Sequence, residues 1–235
     1  MQPLYEGKAK RLYTTQEQDV LRIVYKDEAT AFNGEKKETF AGKGELNNRL
    51  TSYFFEILEQ AGIPTHFIER VSEREQLVRR VTIIPLEVVV RNVVAGSLSK
   101  RLGIEEGTVL ETPIVEFYYK DDTLGDPLVT SSHINLLKIA TSEELKQLSA
   151  EALRVNEVLQ PYFRQNGITL IDFKLEYGKT ADGTILLADE ISPDTCRLWD
   201  QATGEHLDKD VFRRNIGSLT KTYQTLFNRL GGNTQ

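Results

Sequence analysis

Polar and apolar positions along the chain switch between two periods, and each switch marks a change of element. Residues 4–13 and 20–25 are rich in β-formers and are separated by the polar run 14–19, which predicts an antiparallel hairpin at the start. From about residue 39 to residue 61 the period lengthens. Leu46, Leu50, Phe54, Ile57, Leu58 and Ala61 share one helical face, and Gly62-Ile63-Pro64 ends the pattern. Short β-like runs return at residues 65–71, 76–84, 86–94 and 114–119, as expected of a mixed, largely antiparallel sheet. Thr141 and Glu144 form a capping-box pair, and Leu145, Leu148, Ala152, Val155, Leu159 and Phe163 continue as the apolar stripe of a second long helix ending near Asn166-Gly167. Two further strands, 168–177 and 184–191, flank Asp182-Gly183, a dipeptide that favours a two-residue type I′ turn. A third long helix is predicted over residues 208–230, with Phe212, Leu219, Tyr223, Leu226 and Leu230 inward and Gly231-Gly232 as its stop. Strands and helices mix without regular βαβ alternation. The expected class is therefore α+β, with mainly antiparallel sheets and three long helices. A lobe boundary near Pro85 would separate a β-rich N-terminal lobe, residues 1–84, from a larger C-terminal lobe, residues 85–235.

Composition narrows the class. At 235 residues, 40% hydrophobic and 27% charged, the chain has enough apolar sequence to bury a core and is neither disordered nor a disulfide scaffold. Its single cysteine, Cys196, excludes an internal disulfide and a multi-cysteine zinc site. The start lacks a basic-then-apolar leader pattern and no stretch has the length of a membrane span, so a cytoplasmic protein is expected. The net charge of −6 gives no global field that would draw it onto nucleic acid or an anionic membrane. Any anion must be held by a local basic cluster.

Three segments supply such clusters. With Asp182 and Gly183 as the turn, the second hairpin would place Glu176 opposite Asp189 and Lys174 opposite Ile191. Opposed carboxylates destabilise a sheet pair unless a charge lies between them, and Mg²⁺ with its oxygen ligands is the economical candidate. Asp172, Lys174 and Glu176 alternate with Ile171, Phe173 and Leu175, so the three charges share one face, as they would also on a merely solvated strand. At the N-terminus, Gly7-Lys8-Ala9-Lys10-Arg11 joins a close-approach glycine to point charges suited to phosphate oxygens, although it lacks the P-loop pattern and would serve equally as a solvated basic turn. In the third segment, residues 84–101, Arg91 lies inside an apolar run and Gly96-Ser97 follows where a strand could yield to a helix. Together they could grip a phosphate, or Arg91 could simply snorkel to solvent beside a serine cap.

The runs Gly7-Lys8-Ala9-Lys10, residues 84–97 (IPLEVVVRNVVAGS), residues 170–178 (LIDFKLEYG) and residues 189–194 (DEISPD) closely resemble the SAICAR synthetases of purine biosynthesis in their compact bacterial form, and the likeness extends from Leu4 to about Gly232. That resemblance implies a two-lobed fold related to ATP-grasp and kinase-like nucleotide binders. It also implies an ATP-dependent ligase that condenses CAIR, the carboxyaminoimidazole ribonucleotide, with L-aspartate to give SAICAR, ADP and phosphate. Carried over by position, Gly7, Lys8, Ala9 and Lys10 would hold the ATP phosphates, and the segment 79–87, with Arg79, Ile83, Leu86 and Glu87, would line the adenine and ribose pocket largely through backbone groups. Glu176 and Asp189 would bind Mg²⁺, Arg91, Ser97 and Arg197 would hold the ribonucleotide, and Lys174 would lie between the two. Lys8, Lys10 and Lys174 would supply the charge neutralisation of catalysis. Asn33 and Gly34 would approach the aspartate, although many relatives carry Asp at position 33. A homodimer is expected from the same resemblance.

A small-molecule kinase could use the same lysines and carboxylates, and a nucleotide-sensing module could retain them without turnover. The ribonucleotide set Arg91, Ser97 and Arg197 favours the ligase over the kinase, and the intact Lys8, Lys10, Lys174, Glu176 and Asp189 argue against a sensing module, since a degenerate site would be expected to lose charges that are costly to keep together. His66, His133 and His206 have no mutual spacing that suggests catalysis, Cys196 has no activating neighbours in sequence, and Trp199 is expected to pack beneath the 189–197 segment.

Overall fold

In the computed structural model, residues 2–31 and 36–231 are described. The first hairpin forms as expected. β1 (Pro3–Glu6), β2 (Lys10–Thr14) and β3 (Val20–Tyr25) pair in sequence, and β7 (Glu75–Arg79) and β6 (Phe67–Arg70) complete a five-stranded sheet of order β1-β2-β3-β7-β6. A separate two-stranded hairpin, β4 (Glu28–Ala31) with β5 (Lys36–Thr39), stands beside it. Leu21, Ile23, Tyr25 and Val78 form a small apolar core under the first sheet.

The larger sheet is built on β8 (Thr82–Val93) and β11 (Ile168–Lys179), twelve residues each, which pair antiparallel with Asp172 opposite Arg91 and Glu176 opposite Glu87. β9 (Val109–Tyr119) and β10 (Leu128–Val129) extend one side, while β12 (Ile185–Ala188) and β13 (Cys196–Asp200) pair with β11 on the other. Contrary to the expected break, β8 runs through Pro85. The proline is tolerated because the ladder to β11 shifts register between Glu176 and Gly178, while pairing to β9 begins only at Leu86. Gly178 lies at that irregularity, where an added Cβ would stand 2.4 Å from Val81 Cγ2.

α1 (Lys43–Gln60) and α4 (Ser142–Gln165) are the two long helices expected, α4 opening with the Thr141–Glu144 capping box. Their buried faces join Val88, Val90, Leu170 and Leu175 of the central strands in one continuous core. The third helix is not continuous: α5 (Asp210–Arg213) and α6 (Leu219–Arg229) are separated where Asn215 adopts φ 55° and Ser218 starts a new turn in extended conformation. Two short helices, α2 (Gly96–Leu102) and α3 (Ser131–Leu137), complete the set. Among the described residues no helix is long and apolar enough to cross a membrane.

The second hairpin departs from its derived register. Glu176 pairs with Ala188 rather than Asp189, and Lys179 pairs with Ile185. Thr180 N–H donates to Thr184 O at 2.9 Å and Gly183 N–H to Thr180 O at 3.0 Å, so the loop is the three residues Ala181, Asp182 and Gly183. A type I′ turn needs positive φ at both central residues, and here Gly183 at 88° adopts it while Asp182 does not.

Candidate active site

A cavity of about 940 Å³ lies between the two larger sheets, bordered by the Gly7–Lys10 turn, β8 and β11. Strand alternation decides what faces it. Along β8, Ile83, Pro85, Glu87, Val89 and Arg91 line the cavity, while Ile84, Leu86, Val88 and Val90 are buried in the core. Leu86 therefore turns its side chain to the core, which leaves only its backbone for the nucleotide contact expected of this segment. Along β11 the same period directs Asp172, Lys174 and Glu176 to the cavity, and Leu175 to the core. Gly7, Lys8, Ala9, Lys10, Arg79, Ser97, Asp189 and Arg197 also line it. The candidates Asn33 and Gly34 lie outside the described residues.

Glu176 and Asp189 reach the same cavity by a route that register alone did not foresee. Asp189 follows the end of β12 and takes φ 60°, a left-handed conformation for which Asp is among the better-tolerated residues. Lys10 pairs with the Asp189 carboxylate, lies 3.2 Å from Glu190, and rests over the Tyr25 ring at 5.7 Å. Burial would raise the Asp189 pKa, but the charges of Lys10, Lys174 and Lys120 overcome it and hold the carboxyl well below the usual range. Reciprocally, burial would lower Lys10, and Asp189 and Glu190 raise it. Lys174 spans Glu176 at 2.7 Å and Glu87 at 3.1 Å, and these carboxylates likewise outweigh its burial and keep it protonated. Lys8 forms an exposed pair with Asp122 at 2.8 Å.

Four residues along β11, a second charged group surrounds Asp172. Arg91 donates to Asp172 at 2.7 Å, Glu116 at 2.6 Å, Ser97 Oγ at 3.0 Å and Tyr118 Oη at 3.0 Å, and is only 3% exposed. Arg197 grips both Asp172 oxygens at 3.0 and 2.9 Å and also donates to Asp210 at 3.1 Å. Burial raises the Asp172 pKa more than Arg197 and Arg91 lower it. Arg197 can lie this close to the backbone because Gly96, at φ 55°, has no side chain. A Cβ there would stand 2.5 Å from Arg197 Nη2 and 2.7 Å from Cζ.

The chain that carries these two groups has known relatives. A family model described as SAICAR synthetase matches residues 3–230. The chain belongs to the SAICAR synthetase family. It is 87% identical over all 235 residues of both chains to a phosphoribosylaminoimidazole-succinocarboxamide synthase from Exiguobacterium sibiricum. Among solved structures, the Ehrlichia chaffeensis synthase is similar with TM-score 0.97 at 44% identity, covering 100% of each chain. A SAICAR synthetase in complex with ADP is similar with TM-score 0.95 at 50% identity, covering 98% of each.

Several cavity residues of this SAICAR synthetase family member escaped the sequence reading. Lys120 grasps both Glu176 oxygens, at 2.7 and 2.6 Å, from just beyond β9, where the sequence offers only a Lys-Asp-Asp run. Asp172 was visible as one of three same-face charges, but its bridging of two arginines depends on β13, a strand that was not predicted. Glu116 and Tyr118 alternate correctly along β9, yet nothing local marks them as partners of Arg91. His66 also lines the cavity. Burial, with Lys10 nearby, lowers its pKa to about 3 and keeps it neutral. Cys196 is buried and its thiol pushed up, in keeping with a packing role. Among the described residues the one compact triple of potential metal ligands is His206, Asp208 and Asp210. It is already committed: Asp208 accepts from Leu198 and Asp210 N–H groups, and Asp210 pairs with Arg197 and Arg213.

Proposed function

We infer that this chain is the ATP-dependent ligase that joins CAIR to L-aspartate, releasing SAICAR, ADP and phosphate in purine biosynthesis. The observation that carries the reading is the spacing of its two charged groups on one strand. Asp172 with Arg91, and Glu176 with Glu87, are pairs four residues apart along β11, about 13 Å at the usual strand rise. Lys174 lies midway on the same face. One end suits a triphosphate, the other a ribonucleotide phosphate, and the middle is where a carboxylate would meet the γ-phosphoryl group.

In this reading Lys8, Lys10 and Lys120 receive the ATP phosphates, exchanging the carboxylates they now hold for phosphate oxygens. Arg79, Ile83 and the backbone of the β8 segment border the base and ribose, and Arg91, Ser97 and Arg197 hold the CAIR phosphate. Glu176 and Asp189 fit Mg²⁺: both are oxygen donors on the cavity wall, the Asp189 carboxyl is held ionised by its lysine neighbours, and Mg²⁺ in nucleotide sites needs only one or two protein carboxylates. The ion would neutralise charge on the phosphates. Lys174 orients the CAIR carboxylate, whose oxygen attacks the γ-phosphorus as the bond to ADP breaks. The aspartate amine then adds to the acyl carbon, loses a proton, and phosphate departs. No side-chain nucleophile is needed, and positioning with charge stabilisation carries the rate.

The two sheets, within residues 1–84 and 85–235, would act as lobes around the nucleotide, and a cytoplasmic homodimer completes the proposal. Light scattering on the purified protein checks the dimer. The reaction is tested by measuring ADP release with ATP, Mg²⁺, CAIR and L-aspartate, omitting each in turn, and by identifying the organic product by mass. SAICAR formed in step with ADP only in the complete mixture supports the ligase. ADP release without an aspartate adduct would instead support phosphoryl transfer alone.

A further inference from the structure

The turn between β1 and β2 brings Lys8 and Lys10 to the cavity, yet the strand that leads into it has little to hold it. β1 is a four-residue edge strand, exposed along its whole length, and its ladder to β2 is irregular between Pro3 and Tyr5. Such a strand, with few buried apolar contacts, opens easily. The turn needs another anchor.

A buried ammonium provides it. Lys26, the residue after β3, is 8% exposed and stands outside the cavity lining. Its Nζ donates to Glu6 Oε1 at 2.7 Å and to Gly7 O at 3.3 Å, and lies 3.5 Å from Glu28 Oε1. Its backbone N–H donates to Ala9 O at 2.8 Å, while Gly7 N–H closes the turn on Lys10 O, also at 2.8 Å. One residue thus holds the turn at Glu6, Gly7 and Ala9. Glu6 is kept ionised for this contact, since hydrogen bonds from Lys26 and Arg11 lower its pKa to about 2.

Lys26 is itself firmly mounted. Tyr25 before it belongs to the small core under the first sheet, and Asp27 after it accepts from Gly44 N–H at 2.9 Å and from Arg74 Nη1 and Nη2, each at 2.8 Å. Gly44 in the first turn of α1 approaches so closely that an added Cβ would stand 2.9 Å from the Tyr25 and Lys26 carbonyl oxygens. A buried ion pair adds little net stability over apolar packing, but its directional bonds fix the groups they hold. Here those groups flank Lys8 and Lys10.

We propose that Lys26 is a positioning residue for the nucleotide phosphates, holding the turn so that Lys8 and Lys10 meet the β- and γ-phosphoryl groups in fixed geometry. The proposal rests on the placement of the ATP phosphates given above and adds to it a residue that touches no substrate.

The test is calorimetric binding of AMP and ADP, with Mg²⁺ present, to the unaltered protein, Lys26→Met, Lys26→Arg and Glu6→Ala, each checked by a thermal melt. AMP lacks the β-phosphate that the turn would hold, so a general disturbance of the pocket weakens both nucleotides while a displaced turn weakens ADP alone. Lys26→Met is expected to raise the ADP Kd about 10- to 100-fold, the loss that a misplacement of about 1 Å produces, and to leave the AMP Kd within about twofold. Lys26→Arg, which keeps the charge and the donors, should restore most of the ADP affinity. Glu6→Ala should weaken ADP about threefold or more without affecting AMP, and it decides the matter if Lys26→Met does not fold. Equal losses for AMP and ADP, or an ADP Kd unchanged in the folded variants, would overturn the role of Lys26 alone. An unaltered protein that binds ADP no more tightly than AMP would overturn the placement of the phosphates on this turn, and the role of Lys26 with it.

Discussion

Replacing Gly96 by alanine perturbs the ribonucleotide end of the site through a single atom. The new Cβ would stand 2.5 Å from Arg197 Nη2 and 2.7 Å from Cζ, so the guanidinium must move. Because the obstacle is the end of a flexible side chain, the fold can yield. The backbone cost is that of placing alanine at φ 55°, about 1–2 kcal/mol. For a chain of this size that is a fall in Tm of about 2–8 °C. Function should lose more. A displaced Arg197 forfeits its two-oxygen grip on Asp172 at 3.0 and 2.9 Å and its place for the CAIR phosphate. A charge-assisted hydrogen bond contributes about 1.5–3 kcal/mol, so the CAIR KM should rise about 10- to 100-fold. The ATP KM should be unchanged, since Lys8, Lys10 and Glu176 lie at the other end of β11. Steady-state kinetics with each substrate varied in turn, beside a thermal melt, provide the comparison. A folded Gly96→Ala protein with unaltered CAIR KM, or with an equal rise in ATP KM, would refute the placement of Arg197 at the ribonucleotide.

Three other outcomes follow from the same geometry. Asp189→Asn should retain the fold, because asparagine also tolerates φ 60°, and should lower kcat at least about 100-fold; near-normal turnover in a folded variant would remove Asp189 from the phosphate end. Lys43 is fully buried against Asp194, and Lys43→Met leaves a buried carboxylate short of a partner, so urea unfolding should show a loss of about 3–5 kcal/mol. A loss below about 1 kcal/mol would show that the pair is not a coupled buried interaction. Asp210 has its pKa lowered from 3.8 to about 2: burial opposes the shift, and Arg197 and Arg213 prevail. Its stabilising contribution is therefore present above pH 3.8 and lost as pH falls through about 2. Stability measured across that window should fall less steeply in Asp210→Asn, and an unchanged slope would contradict the linkage.

Much of the fold was legible because its elements carry strong periods. The apolar stripes of α1 and α4, the capping box at Thr141 and the alternation of β11 all survive folding nearly as read. Errors arose where local chemistry admits two solutions. Asp182-Gly183 favours a two-residue turn, but a three-residue loop with only Gly183 left-handed is equally available, and the difference shifts register by one. Pro85 reads as a strand breaker, yet a register shift and an absent β9 partner let β8 continue. The helix over residues 208–230 keeps its apolar stripe across a break at Asn215 that periodicity does not detect. In the cavity, the local motif Gly7-Lys8-Ala9-Lys10 lines the wall, and so do Glu176 and Asp189, although the register that paired those two was incorrect. Lys120 was missed because its significance depends on a partner far along the chain, Glu176.

The central claim is that one cavity transfers a phosphoryl group to the CAIR carboxylate and then passes the acyl group to aspartate. It is tested most directly with CAIR carrying ¹⁸O in both carboxylate oxygens. Attack by that carboxylate on ATP predicts one labelled oxygen in each inorganic phosphate released and the other in the SAICAR amide carbonyl. Unlabelled phosphate formed alongside SAICAR would contradict the account.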